Sequence, residues 1–435
     1  MKIILVTSGG KERADGGGVF LEQLIGALAG HELMLVELYI GSTLGVKFHS
    51  NNPARLQIGL RGPVQGLGWL QRLNRPLADW VEWNGIRPLQ LRSRLTMTLP
   101  YLSEFGADLI LGIITSMESI SALERFAGIL DLPLATMEWD PPESMAHSLK
   151  VPGFQLRRTL REYERVLRRA AALAVTSEGM EERYQRQFGR SSTILRQHVE
   201  PSALPPNGLR RDSAEWLIYV GGSIYATHEF ETFLAAIDLC RWSLHDRPVR
   251  LRWLGSGGTV RATGPRSIEF LGWRPLPEAL AFASDCDLGY VPYWFDPGRA
   301  LEIECCFPSK MISCLGVGLP PFFHGPSNAG PALFLRKFNA GYVCAEQTPE
   351  AVLRDLSSAL ADPAEHALRR RRCRHVAATE FSKETFSMRL CRLLDEACGR
   401  APAATDQESK QRFPFTETAA FGRPTSEAVD RVPDR

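Results

Sequence analysis

Short apolar runs alternate with amphipathic stretches along most of the chain. The runs of the first half are KIILVT, LMLVELY, ADLILGII, LPLATMEW and ALAVTS, and those of the second are EWLIYVGG, VRLRWLGSG, SIEFLG, DLGYVPY and LPPFFHG. Helical spacing of apolar residues lies between them, for example at 19–28, 156–172 and 228–239. Strands that alternate with helices are typical of parallel sheets with crossover helices. Two such series predict an α/β protein with two doubly wound domains.

A proline-rich segment, VEPSALPPNGLRRDSAEW, separates the two series. Its polar residues and prolines are typical of a linker. We therefore predict a first Rossmann-like domain at residues 1–205 and a second at 206–380. A terminal helix is predicted at 381–399. Residues 400–435 contain several prolines and no apolar periodicity, and are predicted to be disordered.

The composition is that of a globular protein with little net charge. Hydrophobic residues make up 44% of the 435, and the net charge of +2 gives no indication of a nucleic-acid partner. No apolar run reaches the roughly 20 residues that span a bilayer, and MKIILVTSGG is predicted to be a buried strand, not a signal peptide. The nine cysteines are odd in number and lack CxxC spacing, which predicts reduced thiols in a cytoplasmic protein and no metal site.

Glycine-rich turns follow the first strand of each predicted domain. Gly17 and Gly18 precede a helix predicted to begin near Val19, and Gly222 and Ser223 follow the strand of EWLIYVGGS. Ligands of parallel sheets bind beyond the carboxyl ends of the strands, where glycines let backbone amides approach an anion. Loops without a ligand are the alternative. Neither turn has the GxGxxG or GxxxxGK[ST] spacing of a dinucleotide or nucleoside-triphosphate site.

The segment FPSKMISCLGVGLP places a lysine in the first turn of a predicted short helix. A cation is unfavourable there because the helix dipole is already positive at that end. The placement is favourable if an anion binds, so Ser309, Lys310 and the helix amides are predicted to converge on a diphosphate. An ordinary surface lysine is the alternative. Trp273, after the strand of SIEFLG, is predicted either to clamp a nucleobase or to pack between the domains.

The order of these motifs resembles that of glycosyltransferase family 4. The similarity covers roughly residues 1–395 and lies in GGGVFLEQLIGALAG, VTSEGMEERYQRQFG, LIYVGGS, FLGWRPLPEALAFASDCDLGYVPY and FPSKMISCLGVGLPPFFHG. The resemblance implies a GT-B fold, with two Rossmann-like domains facing across a cleft. It implies sugar transfer from a nucleotide-sugar with retention and without a metal or other cofactor. It also implies a donor site in the second domain, an acceptor site in the first with Gly17 and Gly18 near the donor phosphates, and a terminal helix that packs on the first domain.

The chain departs from this family at two positions. The family has two glutamates eight residues apart, and alignment on GVGLP puts Cys305 and Ser313 there. Glu302 and Glu304, just upstream, are the predicted substitutes that would orient the sugar or stabilise charge at its anomeric carbon. Asp140, in TMEWDPPES, is predicted to touch the acceptor or donor sugar, with helix capping as the alternative.

The acceptor is predicted from a segment rich in arginine and tryptophan. The segment contains Arg61, Arg72, Arg75, Arg87, Arg92 and Arg94, interleaved with Trp69, Trp80 and Trp83. It is predicted either to contact anionic lipid or a lipid-linked diphosphate, or to be a solvated helix face. The leading hypothesis is a cytoplasmic glycosyltransferase, free or at the inner face of the cell membrane, that acts on a glycan or polyprenyl-linked acceptor. Lys310 would stabilise its leaving diphosphate.

Two other functions stay open. Without a glutamate at position 313, a catalytically inactive GT-B protein that binds a nucleotide-sugar or glycan is the main alternative. An oxidoreductase with a bound dinucleotide would need an acidic residue at the end of the second strand. The nearest, Glu37, lies within that strand.

Overall fold

The structure of the protein is a computed structural model that describes residues 1–9, 16–40, 45–60, 74–144, 153–199, 214–255 and 266–400. The predicted domain boundary after residue 205 and nearly all of the predicted disordered tail lie outside these residues. Residues Met1–Ala401 form one compact unit, which contains two β-sheets. No helix in the described part of the chain has the length and apolar character needed to cross a membrane.

The first sheet has eight strands in the order β3-β4-β2-β1-β5-β6-β7-β8. They are β1 Lys2–Ser8, β2 Glu32–Ile40, β3 Val46–His49, β4 Ala54–Leu60, β5 Leu109–Ile114, β6 Leu134–Glu138, β7 Ala172–Val175 and β8 Thr193–Ile194. Only the edge strand β3 is antiparallel to its neighbour. The central strands are buried on both faces, which is why they read as continuous apolar runs.

Helices cover both faces of this sheet. They are α1 Gly16–Ala27, α2 Arg75–Val81, a π-helical turn Glu82–Ile86, α3 Arg87–Phe105, α4 Met117–Leu130, α5 Gly153–Arg169 and α6 Glu178–Phe188. Helix α1 packs on one face and α3 to α6 pack on the other, so alternate residues of β1 belong to different cores. Helix α1 begins at Gly16. The prediction of a start near Val19 was therefore wrong by three residues, and the glycines belong to the first helical turn.

The second sheet is also parallel except for one short edge strand, β10. Its strands are β9 Trp216–Gly221, β10 Ser243–Leu244, β11 Arg247–Leu254, β12 Ile268–Gly272, β13 Leu288–Pro292, β14 Pro321–His324 and β15 Tyr342–Cys344. The order is β10-β11-β9-β13-β14-β15, and β12 pairs with β11. The predicted architecture of two doubly wound parallel sheets is confirmed.

The helices of the second half end with one that returns to the first sheet. They are α7 Thr227–Leu239, α8 Leu276–Ser284, a 3-10 turn Pro297–Arg299, α9 Ala300–Cys305, α10 Ser309–Gly316, α11 Gly330–Phe338, α12 Pro349–Ala361, α13 Pro363–Glu380 and α14 Lys383–Ala397. Phe386, Leu390 and Leu394 of α14 belong to the same core as α1. The two chain segments that cross between the halves meet where the Val199 amide donates to the Phe381 carbonyl oxygen, at 2.9 Å.

Candidate functional site

Lys310, in the first turn of α10, points at the turn that follows β9. Its Nζ donates to the backbone carbonyl oxygen of Ser223 at 2.8 Å and lies 4.2 Å from the ring centroid of Tyr225. No carboxylate among the described residues forms an ion pair with this ammonium. Burial lowers the pKa of Lys310 to about 8, because the charged form is poorly solvated. The site therefore contains a cation whose charge a bound anion would neutralise.

The N-terminus of α10 has no side-chain cap. Its N-cap residue is Pro308, in extended conformation, which has no side-chain acceptor for the helix amides. Ser309 is exposed at the first helical position, and its carbonyl oxygen accepts a hydrogen bond from Gln197 Nε2 at 3.4 Å. Uncapped amides at a helix start carry partial positive charge and bind anions. The helix end and Lys310 together form a positive site, and binding of a diphosphate there stays a prediction.

Asp140 faces this site from the first half of the chain. It follows β6, is accessible to solvent, and accepts a hydrogen bond from the thiol of Cys306 in the second half. Protein nevertheless encloses it on most sides, and this burial raises the pKa of its carboxyl, while the thiol hydrogen bond opposes the rise. Burial raises the pKa of Tyr225, and the nearby charges of Cys306 and Asp140 raise it further. Asp140, Cys306 and Tyr225 therefore share one cleft between the two halves, and Tyr225 links them to Lys310.

The structure separates the two glutamates proposed as substitutes. Glu302 is buried in α9, and its carboxylate lies 3.4 Å from a guanidinium nitrogen of Arg299. The carboxylate of Glu304 pairs with Arg186 of α6 at 2.8 Å. Glu304 therefore contributes to the contact between the halves, and the role of either glutamate at a sugar stays a prediction. Neighbouring Cys305 is fully buried in a core of the first half.

The glycine turns and Trp273 lie at the carboxyl edges of the sheets. Gly17 and Gly18 are in the first turn of α1. Gly222 has a φ of +71°, a conformation that favours glycine, and its amide donates to the Leu254 carbonyl oxygen at 2.8 Å. Trp273 follows β12 and is 57% exposed. Their contact with a donor stays a prediction.

Aromatic residues form part of the cleft that sequence patterns did not indicate. The rings of Tyr225 and Trp294 lie 4.6 Å apart, and the Arg299 guanidinium lies 4.4 Å from the Trp294 centroid. With Lys310 over Tyr225, cations and rings alternate along this wall. YWFDPGR reads in the sequence as a loop, and only the fold brings it to the turn after β9. Such rings offer a flat surface to a sugar or base.

A separate cavity of about 360 Å³ lies in the first half between α3, α4 and α5. Arg87, Glu118, Arg158 and Glu162 line it, and the Arg87–Glu118 ion pair, at 2.5 Å, is almost entirely buried. Neither Asp140 nor Lys310 belongs to its lining. The cavity is therefore distinct from the positive site, and its size suits a sugar-sized group.

A buried carboxyl lies beneath the cleft at the end of β6. Glu138 is fully buried, Tyr163 donates to its Oε2 at 3.1 Å, and Tyr163 in turn bonds Tyr184. Burial raises the pKa of Glu138 to about 8, while the hydrogen bond from Tyr163 opposes the rise. Glu138 and Asp140 are two residues apart in the sequence, yet Glu138 is fully buried and Asp140 is accessible to solvent.

Replacing Glu138 by glutamine is expected to change how stability depends on pH. The folded protein holds a proton on Glu138 that the unfolded chain releases near pH 4.5, so wild-type stability falls as pH rises from about 5 to 8. Relative to Glu138→Gln, this loss is expected to approach 1.4 kcal/mol per pH unit, roughly. Denaturant unfolding of both proteins at pH 5 and pH 8 measures it, and the comparison cancels all other titrating groups. An equal stability gap at both pH values would contradict this role of burial.

Comparison with known proteins gives structural likeness only. No family model matches the chain, and no curated protein matches it. Sucrose-phosphate synthase from Thermosynechococcus elongatus superposes with a TM-score of 0.64 at 16% identity, over 91% of this chain and 98% of that one. Anabaena HepE, solved with UDP and glucose, gives 0.58 at 13% identity over 91% and 99%. The UDP-forming α,α-trehalose-phosphate synthase from Burkholderia xenovorans, solved with glucose-6-phosphate, gives 0.58 at 15% over 90% and 99%. The chain has the GT-B fold of these proteins.

Proposed function

We propose that this protein is a glycosyltransferase that moves a sugar from a nucleotide-diphosphate-sugar to a glycan or polyprenyl-linked acceptor. The observation that carries the proposal is Lys310 at the uncapped start of α10, with no carboxylate partner among the described residues, inside the cleft of a GT-B fold. Sucrose-phosphate and trehalose-phosphate synthases with this fold support the same class of reaction. The transfer proceeds with retention and without a metal, in polysaccharide or glycoconjugate synthesis at the cytoplasmic face of the cell membrane, as in glycosyltransferase family 4.

The positive site stabilises the leaving group of the donor. As the bond between the anomeric carbon and the diphosphate breaks, negative charge grows on the leaving diphosphate. The Lys310 ammonium, the Ser309 hydroxyl and the amides that begin α10 stabilise that charge, and they need little rearrangement because the fold fixes them. The turn at Gly222 and Ser223 holds the phosphates from the other side, and Trp273 lies against the base.

The acceptor half supplies the opposing groups. Asp140 binds a sugar hydroxyl across the cleft, and Glu302 orients the donor sugar from within α9. Gly17 and Gly18 place the first amides of α1 near the donor phosphates. The cavity beside Arg87 takes the sugar of the acceptor.

A catalytically inactive nucleotide-sugar-binding protein is the second candidate, and two positions favour it. Where the family has paired glutamates, Cys305 is fully buried in a hydrophobic core, and Ser313 donates to the Ser309 carbonyl oxygen at 3.4 Å. Neither side chain supplies a carboxylate to a sugar. Such a protein would bind the donor through the same positive site without turning it over.

Donor binding is expected to weaken above pH 8. Lys310 loses its charge as pH passes its lowered pKa of about 8, whereas the diphosphate group of a nucleotide-sugar stays fully ionised. Affinity should be level from pH 6.5 to 7.5 and fall about three- to tenfold by pH 9. Calorimetric titration with a panel of nucleotide-sugars, with NAD as a comparison ligand, measures this.

The Lys310→Arg variant is the control, because its guanidinium stays charged throughout this range. It should bind with little change from pH 7 to 9. Constant wild-type affinity up to pH 9.5 would remove Lys310 from the donor site. Binding of NAD but of no nucleotide-sugar would overturn the proposed function.

A further inference from the structure

Exposed apolar side chains are concentrated on one part of the first half. Fourteen large hydrophobic residues of the described chain are exposed, and eight of them lie between residues 40 and 101. Those eight are Ile40, Phe48, Leu77, Trp80, Ile86, Leu89, Met97 and Tyr101. This concentration is too dense to be the scattered exposure that is normal for single apolar residues. Six of the eight lie in the helical segment 75–105.

The exposed apolar residues of α3, with Ile86 at the end of the π-helical turn before it, form one stripe. Ile86, Leu89, Met97 and Tyr101 fall within about 120° of one another around the helix at 100° per residue. The ring of Phe48 on β3 stacks on Tyr101, with centroids 5.0 Å apart, and widens the stripe. Leu89 is 67% exposed and Met97 54%. We call these five residues the outer stripe.

The opposite side of the same helix is apolar as well. Leu95 and Leu102 are buried in the first-half core, and Leu91 and Leu99 pack against it. Arg92 and Arg94 lie between these two apolar sides of the helix. Here only the inner side is covered by the protein, so the outer stripe has an apolar face without a partner within the described residues.

The charge around the outer stripe is positive. Residues 83–104 contain three arginines and one acidic residue, Glu104, which is exposed. Arg87 is paired with Glu118, and Arg92 is exposed. An apolar helix face with an excess of arginine is typical of contact with an anionic lipid surface. A second copy of the chain is disfavoured, because a two-fold contact would bring these cations against their own equivalents.

We propose that the outer stripe lies on the surface of an anionic lipid bilayer, with Leu89, Met97 and Tyr101 inserted among the acyl chains. Arg92, at the edge of the stripe, then meets the negative headgroups. The inference extends the proposed placement at a membrane to a named surface. Leu89 and Arg92 also line the cavity proposed for the acceptor sugar, so the test of this inference measures lipid binding alone and does not use turnover.

Vesicle co-sedimentation of the full chain tests this inference. Wild-type protein is expected to bind vesicles of phosphatidylglycerol mixed with phosphatidylcholine, to bind pure phosphatidylcholine vesicles weakly, and to be released by salt. The double variant Leu89→Asp, Met97→Asp should lower the affinity for the anionic vesicles about tenfold or more. Both residues are exposed, so the variant should fold, which a thermal melt checks.

The matched control changes exposed apolar residues elsewhere. Ile129 and Leu239 are 50% and 52% exposed on α4 and α7. The variant Ile129→Asp, Leu239→Asp should bind the anionic vesicles like the wild type. Absent or equal binding to both kinds of vesicle, or stripe and control variants that behave alike, would overturn the inference. A wild-type dimer in light scattering that the stripe variant converts to a monomer would also overturn it.

Discussion

Alanine in place of Lys310 should lower kcat/KM for sugar transfer by about 10²- to 10³-fold, the loss typical of removing one preorganised donor to a developing anion. The ammonium contacts the Ser223 carbonyl oxygen and the Tyr225 ring, and no carboxylate of the described residues offsets its charge. The Lys310 ammonium is therefore already in position to stabilise the leaving diphosphate. Initial rates of nucleotide-diphosphate release, with the donor that binds best, measure the effect.

Two variants serve as controls for Lys310→Ala. Lys310→Arg keeps the charge but changes its geometry, so it should retain more activity than the alanine variant. Lys383→Ala removes an exposed lysine from α14 and should leave the rate unchanged. A Lys310→Ala enzyme with wild-type kcat/KM would exclude the proposed role. A wild type that binds donor but never turns it over, with binding weakened by Lys310→Ala, would identify the inactive binder.

Replacing Arg196 by alanine is expected to lower the free energy of unfolding by about 2 kcal/mol, the scale for losing a hydrogen bond made by a buried charged group. The Arg196 side chain is almost completely buried, and its Nε donates to the Thr176 carbonyl oxygen at 2.6 Å. It also pairs with Glu178, and its guanidinium lies 4.1 Å from the ring centroid of Phe307. Burial alone would raise the pKa of Glu178, but the charge of Arg196, its hydrogen bond and smaller contributions together lower the pKa. Arg196 thus links the first half of the chain to Phe307, the first residue of FPSKMISCLGVGLP.

Denaturant unfolding, followed by circular dichroism, measures the loss in Arg196→Ala. Arg186→Ala is the matched control, because the Arg186–Glu304 pair also joins the halves but is largely exposed, and such pairs contribute under about 1 kcal/mol. If the two variants unfold at the same denaturant concentration, burial of Arg196 does not have the stabilising effect expected. Arg196→Lys should fall between wild type and alanine, because lysine lacks the planar group that stacks on Phe307.

The fold could be predicted from the sequence because local patterns repeat often enough to fix it. Runs such as KIILVT are apolar on both sides of the strand, which only a sheet covered on both faces accommodates. Helix boundaries were less certain. Helix α1 begins at Gly16 because nothing in GGGVF stops the backbone from turning helical early, although glycine is a poor helix former.

The candidate site was only partly visible in the sequence. Lys310 stood out because a cation at a helix start conflicts with the helix dipole, and this conflict can be read locally. Other contacts join residues that are far apart in the chain. The thiol of Cys306 donates a hydrogen bond to Asp140, and the ring of Tyr225 packs against that of Trp294. Glu302 and Glu304 read as equivalent in the sequence, yet one is buried beside Arg299 and the other pairs with Arg186.

By itself, the sequence determined two parallel sheets, the helices between them and the lysine at the start of α10, because each follows from spacing and charge within a few residues. Only the tertiary structure decided that Asp140 meets Cys306, that Glu138 is buried while Asp140 is accessible, and that α3 has an apolar face against which none of the described residues packs. Those properties depend on which distant segments the fold brings together, and that proximity sets solvation, pKa and accessible surface.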